Sequence, residues 1–413
     1  MQPLSIAVCG CGPAGLAAAI LLERLGHAVT LVERFKEPQP VGSGLLLQPA
    51  GLHVLDRLGL GDAVRALGAP VTRLFGKAAP SGRIVLDVPF APLGPGEHAL
   101  GIHRSALFDA LFAGVLKASV NLHTGFEIAW LDSASDHRPV LLNAAGQKLG
   151  PFGLVVDALG SRSALAESLF GPRLHRPLAW GALWASLPWP PDDFDPQALE
   201  QRYARANKMV GIMPTGKRAA NGSPEATLFW SLKAKDHRLW LARGLDAWKQ
   251  EVVALWPQMS GLLTKITDPG QLTFAHYGHH TLALPIARRL AVIGDAAHAT
   301  SPQLGQGANM ALLDAAALAD ALAAARDLQA GLALYARIRR WHVRLYQALS
   351  AILTPFYQSD SLLLPALRDR GFVAASALPG GSRLLAKLAT GLLLDPRKEL
   401  ASNRSAMLTY QRS

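Results

Sequence analysis

Cysteine is nearly absent: the 413 residues include two, Cys9 and Cys11, with only Gly10 between them. Neighbours that close along an extended strand cannot form an ordinary disulfide. A disulfide scaffold is therefore excluded, both read as small buried residues, and a reducing, cytoplasmic setting is the expectation. Acids are in deficit, 30 against 41 Lys and Arg, for a net charge of +11. The bases are scattered rather than clustered with aromatics, which argues against nucleic acid. They read as a solvated surface plus arginines facing phosphate, with an anionic membrane or an acidic substrate as the alternative. No apolar run reaches the length of a membrane span, and no charged-then-apolar leader precedes the first strand. His279-His280 lacks a second ligand pair at useful spacing, so no metal is expected. Ser43 and Ser161 sit in no recognisable hydrolase motif, which leaves nucleophilic catalysis without support. Internal repeats and low-complexity tails are missing as well.

What is present begins at once. Ser5 to Cys9 is a short apolar run that reads as a buried strand. It meets Gly10-Cys11-Gly12-Pro13-Ala14-Gly15, and an Ala/Leu-rich helix follows from Ala17 to Leu25, stopping at Gly26. Ala28 to Val32 is a second strand that ends at Glu33. In such a unit the first glycine permits the turn, the second lets the backbone approach a pyrophosphate, and the third lets helix pack on strand. The helix N-terminus then offers free N–H groups to the phosphates, and Glu33 can accept from a ribose diol. The context predicts a bound dinucleotide; the alternative is a glycine-rich βα turn with no ligand.

Further along, Val41 to Leu47 reads as a glycine-edged strand, and Pro49 opens a helix through Leu58. Val71 to Val88 reads as two strands joined by Pro80-Ser81-Gly82. Ala106 to Lys117 is a helix with Ser105 as its N-cap. From about Pro177 to Thr281, strand-like pieces broken by polar loops, with one helix from Gly244 to Trp256, predict an inserted, mostly antiparallel sheet. The chain returns to the first unit at Arg289 to Asp295. A long helix follows from Gly307 to Arg326, and the remainder is helical in pattern, interrupted near Pro355, Pro365 and Pro379.

The second strong signal is Val292-Ile293-Gly294-Asp295-Ala296-Ala297-His298, continued through Pro302 and Gly305 to Gly307-Ala308-Asn309. It is a strand ending in Gly-Asp, a Pro-bearing loop and a glycine-flanked helix entry. Asp295 can bind a ribityl hydroxyl. The helix terminus at Gly307 to Asn309 suits the pyrimidine end of an isoalloxazine, where negative charge collects on reduction.

Together, Gly10 to Gly15, Glu33, His103-Arg104-Ser105 and the segment from Gly294 to Gly307 resemble the single-component FAD-dependent aromatic hydroxylases. These are class A flavoprotein monooxygenases similar to para-hydroxybenzoate hydroxylase and the ubiquinone-biosynthesis hydroxylases. The resemblance runs to about residue 330. It implies that Gly10, Gly12, Pro13, Ala14 and Gly15 hold the FAD pyrophosphate, with Glu33 on the adenosine ribose and Arg34 near phosphate. It implies further that Arg104 reaches the phosphate and ribityl region, and that Gly294 and Asp295 meet the ribityl chain. Gly305, Gly307, Ala308 and Asn309 fall at the pyrimidine edge. Pro302 faces substrate and oxygen beside the ring, and His298 is either a catalytic base or, by the family pattern, a structural member of the cofactor shell. One motif departs: where the family has Ala-Asp-Gly, this chain has Ala158-Leu159-Gly160, with Asp157 two residues before Leu159 on the same strand face.

The expected architecture is α/β. A Rossmann-like FAD-binding domain (1–75, 101–176 and 282–330) carries an inserted, mostly antiparallel substrate-binding sheet (76–100 and 177–281). Helices fill 331–413. Trp180, Trp184 and Trp230 fall on sheet strands, as core or as an aromatic substrate wall. The implied activity is hydroxylation of a small aromatic, quinone-like or lipophilic substrate by molecular oxygen through a flavin C4a-hydroperoxide, with NAD(P)H as co-substrate. A reductase or dehydrogenase without oxygen insertion is the alternative that Leu159 motivates, and a non-enzymatic binding protein on the same fold is a third. Leu362-Leu363-Leu364 and Leu392-Leu393-Leu394, near basic residues, leave a peripheral membrane contact open beside simple packing.

Overall fold

Ser5–Cys9 forms an inner strand because both its faces are apolar: Ile6 to Cys9 are fully buried. The computed structural model describes residues 1–39, 42–132, 138–171 and 176–394. In it this strand lies parallel between Ala28–Glu33 and Leu154–Asp157. Asn121–Thr124 extends the sheet on one side and Leu290–Val292 on the other, both parallel, and Ile286–Ala287 closes the latter edge antiparallel. Ile6, Val8, Leu31 and Val156 point to one face, under helices Pro13–Glu23, Arg104–Lys117 and Gly307–Ala324. Ala7, Cys9, Val32 and Val155 point to the other and meet Phe126, Ile128, Leu141 and Phe152 from a small three-stranded sheet and its flanks. The α/β class and the strand–turn–helix unit are as expected. Gly307–Ala324 does have the length and hydropathy of a membrane span, contrary to expectation, but 78% of it is buried inside the protein. Val41 lies outside the described residues, and the strand read there begins at Gly44.

The second sheet has seven strands, in spatial order Thr273–His279, Arg176–Pro188, Glu225–Lys233, Lys208–Gly216, Ala198–Ala204, Arg73–Ala78 and Ile84–Pro89. All pairings are antiparallel except that of Ala198–Ala204 with Arg73–Ala78. A boundary at residue 76 would cut the strand Arg73–Ala78, whose register runs unbroken from Arg73 beside Ala198. The sheet's share of the chain therefore starts at Arg73. Leu183, Val210, Leu228 and Trp230 form its outer face beneath Trp240, Trp248 and Val252. The helix expected from Gly244 to Trp256 is present as Leu245–Leu255, and an unexpected one, His237–Arg243, precedes it, the two parted at Gly244, which takes φ +82°.

The C-terminal part begins with Leu328–Tyr357, a helix that carries Pro355 within its final turn. Leu363–Ala377 and Gly381–Ala389 follow and pack against the edge strand Ile84–Pro89. Pro365 sits in the first turn of its helix rather than at a break, where a missing N–H costs nothing. Residues 395–413 of the expected helical region lie outside the described residues.

Close strand–helix packing makes Gly15 irreplaceable: a Cβ there would lie 1.9 Å from the Gly10 carbonyl oxygen, whereas one on Gly12 meets nothing within 4 Å. Gly15→Ala is expected to destabilise the ligand-free protein by about 1–3 kcal/mol through overpacking. Gly12→Ala, at an N-cap, should cost about 1 kcal/mol or less. Denaturant melts of the two apoproteins check the difference.

Candidate active site

The glycine turn is built by three separate constraints. Gly10 takes φ +104°, and a Cβ would sit 2.7 Å from the Ala158 carbonyl oxygen. Gly15 touches Gly10, and only Gly12 faces open space. Pro13 begins the helix, and its first bond is Leu16 N–H to Gly12 O at 3.0 Å. The N–H groups of Ala14 and Gly15 therefore precede the helical ladder. Glu33 is buried, and its two oxygens accept from Cys11 N–H (2.9 Å) and Phe35 N–H (3.1 Å). The carboxylate thus braces the turn, and ribose hydroxyls would use its remaining lone pairs. Burial and the neighbouring Glu33 push the Cys11 thiol well up, so it is inert. Arg34 is exposed, with its guanidinium 4.6 Å over its neighbour Phe35.

Asp157 does not take the place of the missing family aspartate. It is fully buried, accepting from Leu159 N–H at 3.0 Å and from Ser163 Oγ at 2.5 Å. Ser163 in turn caps the helix Ala164–Phe170 through Ala166 N–H. The carboxyl holds the loop from inside and presents nothing to a ligand. Burial pushes its pKa up to about 6, against the pull of these hydrogen bonds.

The opposite side of the site is the Gly294 turn. Gly294 takes φ +63° and ψ −146°, a conformation open to glycine. Its N–H donates to Asp314 Oδ2 at 2.8 Å. The same oxygen lies 2.5 Å from His298 Nε2, and Asp314 Oδ1 accepts from Arg339 Nε at 2.6 Å. Burial alone would raise the Asp314 pKa, but the charges of His298 and Arg339 and their hydrogen bonds outweigh it and hold the carboxyl well below the usual carboxylate range. His298 is 4% exposed, and Gln347 binds its carbonyl at 2.9 Å. With Nε2 held by Asp314, the ring buried and the carbonyl bound, His298 is built into the scaffold. Asp295, next to Gly294, is exposed, and its Oδ1 lies 3.7 Å from where a Gly307 Cβ would stand.

From there the loop runs through Pro302–Leu304 and Gly305, which is left-handed at φ +60°, to the helix at Gly307. The first ladder bond is Met310 N–H to Gln306 O at 2.9 Å, which leaves Gly307, Ala308 and Asn309 with N–H groups ahead of the ladder. The Asn309 side chain is not free for a ligand. Its Oδ1 accepts from Gln48 N–H (2.7 Å) and its Nδ2 donates to Leu46 O (3.2 Å) and Gly305 O (3.0 Å). Any contact of Asn309 with a cofactor is thus through the backbone. Gln306 Nε2 donates to Ala389 O at 3.0 Å, tying this turn to the C-terminal helices.

Arg104 is exposed, with its chain packed over Gly42. The N-cap of its helix is His103 rather than Ser105, since the His103 ring accepts from Ser105 N–H at 3.2 Å. His103 Nε2 also meets Ser186 Oγ at 3.2 Å, joining its own strand Ala99–His103, part of a three-stranded sheet with Gly44–Leu47 and Ala69–Val71, to the seven-stranded sheet. Of the three sheet tryptophans, Trp230 is core, packed at 6.5 Å on Trp248, and Trp180 lies under Lys233. Trp184 alone is half-buried on the inner face, 5.1 Å from Phe229, and donates to Tyr277 Oη at 2.6 Å. Tyr277 feels the Arg104 charge, and burial pushes its pKa up to about 12, so the phenol stays protonated. Three residues on, His280 N–H binds Ala299 O at 3.1 Å, which sets this strand against the Pro302 loop.

The family model described as FAD binding domain matches residues 4–132 and 162–346. This chain belongs to the FAD-binding domain family. FAD is its cofactor, and it is an FAD-dependent oxidoreductase. It is 25% identical to the FAD-dependent urate hydroxylase of Klebsiella pneumoniae over 82% of this chain and 86% of that protein. It is 26% identical to the 6-hydroxynicotinate 3-monooxygenase of Pseudomonas fluorescens over 78% and 83%. The crystal structure of Klebsiella pneumoniae HpxO with FAD and uric acid has the same fold, at a TM-score of 0.80 and 20% identity, covering 95% of this chain and 98% of that one. The residues present fit FAD: the open cradle over Gly12 and the exposed Asp295 beside Gly307 are what a dinucleotide and a ribityl chain require.

Within this flavoprotein the buried partners Asp314, Arg339 and Gln347 and the Trp184–Tyr277 pair escaped the sequence motifs. The available signal for the first was an aspartate within an otherwise apolar Ala/Leu helix. Asp157 yields a pH test. Its carboxyl titrates near 3.8 when unfolded and about 6 when folded. Between those values the folded chain retains a proton that the unfolded chain has lost, so this group's contribution falls as pH rises from about 4 to about 6 and is flat above. The stability of the parent minus that of Asp157→Asn should shrink by up to about 3 kcal/mol over that window. Urea melts of both apoproteins at each pH check it, since other titrations cancel in the difference.

Proposed function

We propose that this flavoprotein is a monooxygenase that hydroxylates a small, planar aromatic or quinone-like molecule with molecular oxygen, using NAD(P)H as reductant. The observation that carries the proposal is the wall formed by Trp184 and Tyr277, backed by the buried Phe229, beside the Pro302 loop. That wall is aromatic, with one phenol whose oxygen already accepts from Trp184 and whose proton is free to be donated. It suits a flat ring bearing an acceptor such as a carbonyl or ring oxygen. The relatives named above act on urate and 6-hydroxynicotinate, which are flat heteroaromatics of that kind.

Each residue then has a role in the proposal. Gly10, Gly12 and the N–H groups of Ala14 and Gly15 bind the pyrophosphate, with Glu33 at the adenosine ribose. Asp295 binds the ribityl chain, and Arg104 lies between that chain and the substrate wall. Backbone N–H groups of Gly307, Ala308 and Asn309 stabilise negative charge at the pyrimidine edge. Pro302 lines the substrate side and helps exclude water, and His298 positions its loop through Asp314. Bound FAD, once reduced, supplies the oxygen activation.

Loss of the family aspartate at Leu159, with Asp157 turned inward, favours one other reading: a flavin oxidoreductase that does not insert oxygen. Anaerobic titration of the flavin with NADH and NADPH, against a panel of phenols and heteroaromatics, separates the two when followed by aerobic turnover in ¹⁸O₂. Substrate-accelerated bleaching and product gaining one labelled oxygen is the expected result. Bleaching without label in product supports the alternative. Asp295→Ala should retain little FAD, while Tyr277→Phe should keep its FAD and raise KM about tenfold or less through one lost hydrogen bond.

A further inference from the structure

The helices Leu363–Ala377 and Gly381–Ala389 form one layer over the edge strand Ile84–Pro89. Their inner sides are partly packed, with a cavity of about 400 Å³ left between Ile84, Val88, Phe372, Ser376 and Leu385. Arg368 is buried over Tyr203 and Tyr357, Ala386 and Ala389 are buried, and Leu385 packs with Val88 and Phe90. The outer side of the first helix is a single stripe, Leu363, Leu367, Arg370 and Ala374, spaced for one helical face. Leu362 precedes it and Leu378 follows it, and the second helix turns out Arg383 and Leu384. Leu362, Leu363, Leu367, Leu378 and Leu384 are 52–71% exposed. Isolated exposed leucines are ordinary, but five in one layer form a patch. The other leucine triplet does not contribute in the same way, since Leu392 is buried in the core of the FAD domain.

The charge on this layer has one sign. Between residues 362 and 394 the only acid is Asp369, and it is bound to Arg83 (2.9 Å) and Arg368 (2.8 Å). Arg370, Arg383 and Lys387 make no ion pair among the described residues. We propose that this layer docks the protein on an anionic lipid surface, with the leucines entering the interface and the three bases at headgroup level. A second copy of the chain fits poorly. A two-fold contact would set these cations against their own images with no acid between them. An anionic bilayer supplies apolar depth and negative potential together. The proposal does not depend on the flavin chemistry.

The test is cosedimentation of the full FAD-loaded protein with phosphatidylcholine vesicles and with vesicles that also contain phosphatidylglycerol. Binding to the anionic vesicles, weakened by added salt, is expected. Arg370→Gln with Arg383→Gln should lower the partition coefficient by roughly 25-fold, about fivefold per cation. Leu363→Ser with Leu367→Ser should lower it by at least as much. Both variants should keep their flavin absorbance per chain. Arg238→Gln with Arg243→Gln, two exposed bases on the outer side of the large sheet, should bind like the parent. Absence of binding to anionic vesicles overturns the proposal, as does an equal loss in the Arg238/Arg243 control. A change in particle mass by light scattering on Leu→Ser substitution also overturns it, by making the occupant a second copy.

Discussion

Most of the flavin-facing architecture depends on one buried carboxylate. Asp314 has no exposed surface, yet it holds three elements at once: the Gly294 turn through its N–H, the His298 loop and the helix of Arg339. A lone ionised carboxylate in that position would be untenable. Paired on both oxygens it becomes a rigid joint, and removing Asp314 or Arg339 would leave a buried charge uncompensated at a cost of about 3–5 kcal/mol. A swap of the whole set for apolar residues could be neutral for stability, so stability does not account for its presence. What the set fixes is position. Gly294 must sit where Asp295 is presented outward, and His298 must carry the loop to Pro302.

The joint extends to the C-terminal helices. Arg339 Nη1 lies 3.4 Å from His342 Nδ1, and His342 Nε2 lies 3.0 Å from Gly391 O. Burial, with Arg339 adding to it, pushes the His342 pKa down to about 3, so the ring is neutral at ordinary pH. A neutral ring that meets a carbonyl at Nε2 carries its proton there, which leaves Nδ1 to accept from Arg339. Every member of this chain therefore has a definite donor and acceptor role. Such directionality is what a positioning network needs and an apolar core cannot supply.

The parts of this site legible in the sequence were those where backbone geometry restricts residue type. Gly10, Gly15 and Gly294 stand at positive φ or against a carbonyl, and no other residue would serve. Alternation and apolar runs revealed the two sheets for the same reason, since a strand buried on both faces has little choice of composition. Side-chain partnerships were not legible, because they join residues far apart in the chain. Ser105 looks like an N-cap, but His103 fills that role, its ring accepting from the Ser105 N–H itself. Asp157 looks like a displaced family aspartate, but Ser163 and the Leu159 N–H turn it inward. Asn309 looks like a ligand contact, but Gln48, Leu46 and Gly305 use its whole amide.

A second consequence follows from where those partnerships fall. Gln306, which precedes the helix terminus assigned to the pyrimidine edge, donates to Ala389 O, and Tyr346 reaches the Lys387 carbonyl at 3.2 Å. Ala389 and Lys387 belong to the helix that also turns Arg383 and Leu384 outward. The layer with the exposed leucines is therefore one hydrogen bond from the turn that opens the helix at Gly307. Force or displacement at that surface has a short covalent and hydrogen-bonded route to the helix terminus, with no flexible linker among the described residues between them. The outer helices are thus tied to the start of the Gly307 helix.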